Sequence, residues 1–347
     1  MSRTMMTAMQ MVDYNKPLEM KQVPVPGVLG EEVLVKIQGS GLCHSDLHLM
    51  DGSIKIIPSF PFTLGHENAG IIEEVGEKVS GFKKGDPVVV YGGWSRKFDR
   101  FSLTGQEQLT SIQDWVGIGQ PGGYAEYLKV PTFRYLLPGD GLDPVDSAVL
   151  TDAGLTPYRA MKKLLPNLYP GSTVVIIGCG GLGQFGVQYA KILTPYARTI
   201  AVDVDDSKLS IAKELGADVI INSKKEDVVA KVKELTDNEG AQGMVDFVGA
   251  DATLAQAYSM GGRQSKLVVV GLAGGTLKFT AGLVNELEVT TSNWGSISEL
   301  SEVISLAKMG RIRTRAKRIG FDEMNKTFEE LAAGKIEGRA ILVPDQH

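Results

Sequence analysis

The sequence predicts an α/β protein made of a compact, mainly-β domain and a doubly wound parallel-sheet domain. Three observations carry this expectation. Valine- and glycine-rich strand patterns dominate residues 1–154. Beyond residue 154, short apolar runs alternate with helical segments. A glycine-rich turn, Gly178-Cys179-Gly180-Gly181-Leu182-Gly183, sits where a strand gives way to a helix. At 347 residues the chain is long enough for two domains, each with its own core.

The first part reads as strands at residues 32–37, 69–76 and 85–90. Pro and Gly punctuate them at short spacing, which suits a compact β domain. Residues 92–120 are less regular and read as an excursion. Thr173-Val174-Val175-Ile176-Ile177 is a β-branched run suited to a strand buried on both faces. A helix over 183–193, a strand over 199–202 and a helix over 206–215 follow. Further strands read at 219–221, 244–248 and 267–270, with helices at 225–236 and 251–260 between them. This is βαβ construction and implies a parallel sheet. Residues 296–309 read as helical. A second helix over 324–333 carries Met324, Phe328 and Leu331 on one face, and a last strand covers 341–343. The tail is expected to rejoin the first domain, because an inserted domain is tolerated when its termini lie close together. The divisions are 1–154, 155–292 and 293–347.

Hydrophobic residues make up 43% and charged residues 22%, values of an ordinary globular chain. The formal net charge of -5 argues against nucleic acid as a partner. The one basic run, Arg311-Ile312-Arg313-Thr314-Arg315-Ala316-Lys317-Arg318, reads as a solvated strand or turn. Two cysteines make no disulfide framework. No stretch reaches the roughly 18 apolar residues of a membrane span. No signal-peptide core opens the chain, so a reducing, cytoplasmic compartment and no membrane partner are expected.

Of four histidines, three lie within residues 44–66, beside Cys43. Cys43 offers a thiolate and His66 an imidazole, both preferred zinc donors. Spacing alone leaves the third ligand open among His44, His48, Asp46 and Glu67. A buried cysteine with satisfied core histidines is the competing reading. In the glycine turn, Gly178 makes the tight bend, Gly180 admits a pyrophosphate against the backbone, and Gly183 allows close helix–strand packing. The helix N-terminus adds unpaired N–H groups for phosphate. Asp203 follows 20 residues after Gly183. Its carboxylate suits ribose hydroxyls and repels a 2′-phosphate, which favours NAD over NADP. Cys179 reads as a small buried filler. A metal site and a hydride carrier in one chain point to metal-assisted redox chemistry on an alcohol or carbonyl.

Gly41-Leu42-Cys43-His44-Ser45-Asp46, Leu64-Gly65-His66-Glu67, Gly81-Phe82-Lys83-Lys84-Gly85-Asp86 and Asp152-Ala153-Gly154-Leu155-Thr156-Pro157-Tyr158 resemble the zinc-dependent medium-chain alcohol dehydrogenases. The likeness covers nearly the whole chain. It is nearest to the bacterial and archaeal NAD-dependent branch acting on secondary alcohols. It implies a GroES-like catalytic domain with a Rossmann domain. It also implies an enzyme moving hydride reversibly between secondary, and some primary, alcohols and NAD. In that resemblance Cys43, His66 and Asp152 hold zinc, Asp152 standing where many relatives have cysteine. Glu67 can approach the metal, and Asp46 orients the His66 ring. Ser45 starts a proton relay that ends at His48. His44 and Arg339 meet cofactor phosphates, and Thr156 packs near the nicotinamide. Gly181, Leu182, Lys208 and Gly271 complete the cofactor contacts. Trp294 either shapes the substrate pocket or fills the core.

Relatives usually carry a lobe whose four cysteines bind a structural zinc. The matching stretch from Gly92 through Trp115 has none, so one zinc per subunit is expected. Trp94, Phe98, Phe101 and Trp115 are expected to pack together in its place. The resemblance implies a homotetramer, with a dimer as the other assembly left open. Other readings are a polyol or sugar dehydrogenase, a metal-free quinone or enone reductase, and a catalytically silent scaffold.

Overall fold

The computed structural model describes residues 4–280 and 286–345. Its contacts divide the chain into two units. The first comprises Met1–Leu155, Trp294–Gly310 and Thr314–His347, and the second Thr156–Asn293 with Arg311–Arg313. The sequence does not anticipate that residues 311–313 belong with the second unit.

The first unit is organised around the long strand Val33–Leu42. Its first half pairs antiparallel with Tyr127–Val130, and its second half with Arg339–Leu342 from the chain's tail. Glu67–Val75 pairs along its other edge and leads on to Pro87–Val90 and Leu136–Pro138. Ala316–Ile319 runs parallel to Arg339–Leu342. Val33, Val35, Ile37, Ile72, Val88, Val90, Leu128 and Val130 form the buried core of this sheet. The helix Met324–Ala332 buries Met324, Phe328 and Leu331.

The long strand runs five residues past the end expected at residue 37. Gly39 and Gly41 weaken the strand signal. They are required where they stand, because a Cβ on Gly39 would lie 2.5 Å from the Val145 carbonyl oxygen. A Cβ on Gly41 would collide with the Glu67 carboxylate. A small sheet of Glu19–Pro24, Met5–Met11 and Phe62–Thr63 was also not expected.

The second unit holds a six-stranded parallel sheet. Its strands are Thr173–Ile177, Arg198–Asp203, Val219–Asn222, Ala241–Asp246, Gly261–Val269 and Glu288–Thr291. Numbered from the unit's start, they lie in the order 3-2-1-4-5-6. This is the dinucleotide-binding order, with its switch point beside the first strand. The sixth strand, Glu-Val-Thr-Thr, is an exposed edge and carries little hydrophobic signal. Among the described residues, no helix is long and apolar enough to cross a membrane.

The excursion over 92–120 contains three short turns, Arg100–Leu103, Glu107–Leu109 and Ile112–Asp114. The expected four-aromatic cluster does not form. Phe98 is 88% exposed. Phe101 lies beneath the Arg100 guanidinium. Trp94 stacks on Tyr135, whereas Trp115 meets Trp294. Polar closures hold the segment instead. Asp99 accepts the N–H groups of Phe101 and Ser102 at 2.9 and 3.1 Å, and Ser102 Oγ accepts from Asp99 N–H at 3.0 Å. Arg96 bridges to Gln120 at 2.6 Å and to Asp114 at 3.6 Å. Asp99→Ala is therefore expected to cost about 1 kcal/mol of stability. Urea unfolding would show it, and an unchanged midpoint would contradict this account of the segment.

Candidate metal centre and cofactor turn

The end of Val33–Leu42 delivers Cys43 to the start of the helix His44–Met50. Cys43 has extended backbone angles, as a residue preceding a helix does. Asp46, one turn in, reaches back and accepts the Cys43 N–H at 3.0 Å. This fold-back puts a sulfur ligand and a carboxylate on one side of the helix start. Gly65, at φ 103, bends the chain into His66. A Cβ there would lie 2.8 Å from the Tyr124 nitrogen, so the bend requires glycine. Asn68 braces the bend by donating to the Gly65 carbonyl at 3.0 Å. Glu67 opens the next strand, and Asp152 follows the 3-10 turn Asp146–Thr151.

These segments bring Cys43, His66, Glu67 and Asp152 together, with one donor atom from each lying within 4.8 Å of the others. His66 Nε2 is 3.3 Å from Asp152 Oδ2, and Cys43 Sγ is 3.7 Å from the same oxygen. All are buried except Asp152, whose side chain is 14% exposed. His66 Nδ1 lies 3.3 Å from Asp46 Oδ1, an approach too poorly aligned for a full hydrogen bond. Asp46 also accepts the Tyr124 hydroxyl at 2.7 Å. The carboxylate thus occupies the Nδ1 side of the ring and leaves Nε2 facing the cluster. Glu67 is divided in function. One oxygen accepts the Arg339 guanidinium, while Oε2 is buried without a hydrogen-bond partner.

The electrostatics call for a cation. Burial pushes the Glu67 carboxyl up to about 7, against the opposing pull of Arg339 and with added repulsion from Asp152. Burial disfavours a charge on His66, yet Asp46, together with bonds to Asp152 and Cys43, lifts its pKa well above the usual value. Without a metal, the Glu67 carboxyl holds its proton more readily than an ordinary carboxyl does. A divalent ion removes that need, because its ligands bind deprotonated. One sulfur, one imidazole nitrogen and carboxylate oxygens within a few ångströms form a donor set that zinc accepts. The orphaned Glu67 oxygen fits the same conclusion.

Other expected residues stand nearby. Ser45 Oγ is 3.6 Å from Cys43 Sγ. His48 is half-buried one turn further along the helix, its Nδ1 3.2 Å from Ser53 Oγ. His44 is exposed. Arg339 is 4% exposed and seated on Glu67. Tyr124, Asn68 and Trp294 support the centre as well. Nothing in their local sequence marks Tyr124 or Asn68 for this role.

In the second unit, Gly178 has φ 85 and Gly180 precedes the helix Gly181–Leu193. The helix starts two residues earlier than expected because Gly180 ends the extended segment. Space beside Gly180 is open, whereas a Cβ on Gly183 would lie 1.8 Å from the Gly178 oxygen. Asp203 Oδ2 accepts the Cys179 N–H at 2.7 Å, and Oδ1 accepts those of Val204 and Asp205 at 2.7 and 3.0 Å. Asp203 is thereby fixed at the mouth of the turn. Burial pushes the Cys179 thiol up, so it is no nucleophile. Gly181 and Leu182 are half-buried, as is Lys208 on the helix Asp206–Glu214. Thr156 is buried. Gly271 packs backbone to backbone on Val248, where a Cβ would lie 2.0 Å from a carbonyl carbon.

The chain is similar to known proteins along nearly its whole length. A zinc-binding dehydrogenase model matches residues 181–309, and an alcohol dehydrogenase GroES-like domain model matches residues 30–139. An NAD-dependent alcohol dehydrogenase of Sulfurisphaera tokodaii is 38% identical over 98% of this chain and 100% of the relative. The crystal structure of the alcohol dehydrogenase from Aeropyrum pernix aligns with a TM-score of 0.91 at 38% identity, covering 97% of this chain and 100% of that one. A D-arabinose 1-dehydrogenase (NADP(+)) of Saccharolobus solfataricus is 33% identical over 95% of each chain. Fold and site together define a two-domain, zinc-binding dehydrogenase. Within that class, the chain belongs to the medium-chain, NAD-dependent alcohol dehydrogenase family in its archaeal and bacterial branch.

Asp46→Asn keeps the shape of the side chain but removes the charge facing Nδ1. It is expected to weaken zinc binding by on the order of tenfold or more in chelator competition. Unchanged affinity would remove Asp46 from the centre.

Proposed function

We propose that the enzyme acts preferentially on simple secondary alcohols, with primary alcohols as poorer substrates. The general activity is reversible oxidation of alcohols to ketones or aldehydes with NAD. The observation that carries it is the buried convergence of Cys43, His66, Glu67 and Asp152. The preference is supported by the aromatic surroundings of His66, where Trp294 meets the ring and Trp115 packs against Trp294 in turn. A sugar or polyol dehydrogenase needs polar partners for several hydroxyls, since unpaired ones are costly.

Cys43, His66 and Asp152 would hold the metal, with Glu67 able to join them. When bound, zinc supplies Lewis acidity toward a substrate oxygen and NAD supplies the hydride acceptor. Asp46 keeps the His66 ring turned so that Nε2 faces the centre. Ser45 places its hydroxyl 3.6 Å from the sulfur ligand and can both accept and donate a proton. His48, half-buried one turn on, is placed to pass that proton toward solvent. The Asp203 carboxylate would take the adenosine ribose hydroxyls and discourage a 2′-phosphate. Gly178, Gly180 and Gly183 shape the turn for the pyrophosphate. His44 and Arg339 are proposed phosphate contacts, and Thr156, Lys208 and Gly271 contacts to the rest of the cofactor. The proposed assembly is a homotetramer, and sedimentation velocity would separate it from a dimer. Both cysteines are free thiols, in keeping with a cytoplasmic setting.

The direct test is the initial rate of NADH formation with secondary, primary and polyhydric alcohols, before and after chelation and zinc repletion. The reading expects loss on chelation, recovery with zinc, and the highest kcat/KM for secondary alcohols. A polyol or aldose as best substrate would overturn the preference. Ser45→Ala is expected to lower kcat by roughly 10²-fold while Ser45→Thr retains most activity. Equal rates in both variants would exclude the relay. Asp203→Ser should narrow the NAD over NADP ratio of kcat/KM, and an unaltered ratio would contradict the role of Asp203.

A further inference from the structure

We propose that Trp294 is a positioning residue of the metal centre, tying the His66 ring to the peptide that carries Asp152. The inference rests on the reading of Cys43, His66 and Asp152 as zinc ligands.

Trp294 has φ 45, in the left-handed region. The other non-glycine residues found there are Asn15, Asp237, Asn238, Gln264 and Glu286, so among the described residues Trp294 is the one aromatic side chain so placed. A bulky residue takes that conformation only where its surroundings enforce it. Ordinary core filling makes no such demand.

Two of the contacts of the indole lead to the metal site, and the others hold the ring in place. Its Nε1–H donates to the Thr151 carbonyl at 2.7 Å, directly before Asp152 in the chain. Its ring meets His66 edge to face, with centroids 5.9 Å apart and planes at 79°. Trp115 meets it similarly, at 5.1 Å and 86°. A Cβ on Gly92 would lie 2.5 Å from Trp294 Cζ2, so the chain keeps no side chain where the indole lies. The next residue is anchored too, since the Tyr91 hydroxyl donates to the Gly295 carbonyl at 2.8 Å. With 5% exposure, the ring cannot swing out to solvent without disrupting these contacts.

The setting of Asp152 makes such an anchor useful. It caps a 3-10 turn at φ -135 and ψ -63, outside regular helix or strand. Its carboxylate is a harder donor than a thiolate, and zinc binds thiolate well. Affinity then depends more on how well the ligands are held before the metal arrives. Trp294 holds two of them, from distant parts of the chain, through one rigid ring.

The test uses full-length protein, metal-free and zinc-loaded. Trp294→Phe keeps a ring beside His66 but loses the bond to Thr151. Trp294→Leu loses both contacts, and Gly92→Ala displaces the ring without removing it. Zinc dissociation constants come from competition with a chromophoric chelator, and the visible spectrum of the cobalt-substituted protein reports ligand geometry. Unfolding of the metal-free protein is measured alongside. Trp294→Phe is expected to weaken zinc binding by on the order of tenfold and to shift the cobalt bands. Gly92→Ala should move both in the same direction, and carries the test with Trp294→Phe if Trp294→Leu does not fold. Native zinc affinity and cobalt spectrum in both Trp294→Phe and Gly92→Ala, with only metal-free stability reduced, would make Trp294 a core filler. A wild-type protein that binds no zinc would instead overturn the underlying metal reading.

Discussion

A thiol, an imidazole and two carboxylates within a few ångströms of one another, all but Asp152 buried, form an arrangement that either holds protons or surrounds a positive charge. Isolated buried anions are expensive, and like charges at this spacing shift one another's protonation. Arg339 answers part of the demand through one oxygen of Glu67. The other Glu67 oxygen has no hydrogen-bond partner and lies in the cluster with Cys43, His66 and Asp152. Much of the catalytic unit's backbone is arranged to permit this. Gly41 leaves room for the Glu67 carboxylate, Gly65 bends the chain at His66, and the Cys43–Asp46 fold-back sets the helix that also carries Ser45 and His48.

The cofactor turn applies the same logic to a phosphate. Close approach at Gly183 locks helix to strand, and the open space at Gly180 leaves backbone accessible. Asp203 is fixed by three backbone N–H groups. A carboxylate has about four acceptor positions, so capacity remains for a ribose hydroxyl. Rigid placement of that charge underlies the proposed discrimination against a second phosphate.

Much of this was legible in the sequence where local pattern and tertiary structure agree. Thr173–Ile177 reads as a buried parallel strand because its β-branched run has no other good use, and it is one. Cys43 and His66 stood out because their residue types are scarce. Asp152, which completes the cluster, did not, since it lies 109 residues from Cys43 and spacing carries no signal across that distance. Resemblance, not periodicity, pointed to it. Glycine hid the second half of Val33–Leu42, and exposure hid Glu288–Thr291. The excursion over 92–120 defeated the expectation of an aromatic cluster because its closures are short-range polar bonds. Trp294 was ambiguous between pocket and core, and its left-handed backbone leaves no trace in sequence.

The central claim is that one cysteine, one histidine and carboxylate oxygen form the zinc site. X-ray absorption at the zinc edge of the repleted protein tests it most directly. One sulfur at about 2.3 Å with the remaining scatterers being nitrogen or oxygen at about 2.0–2.2 Å is the expected shell. Two or more sulfurs, or none, would contradict the assignment of Cys43, His66 and Asp152.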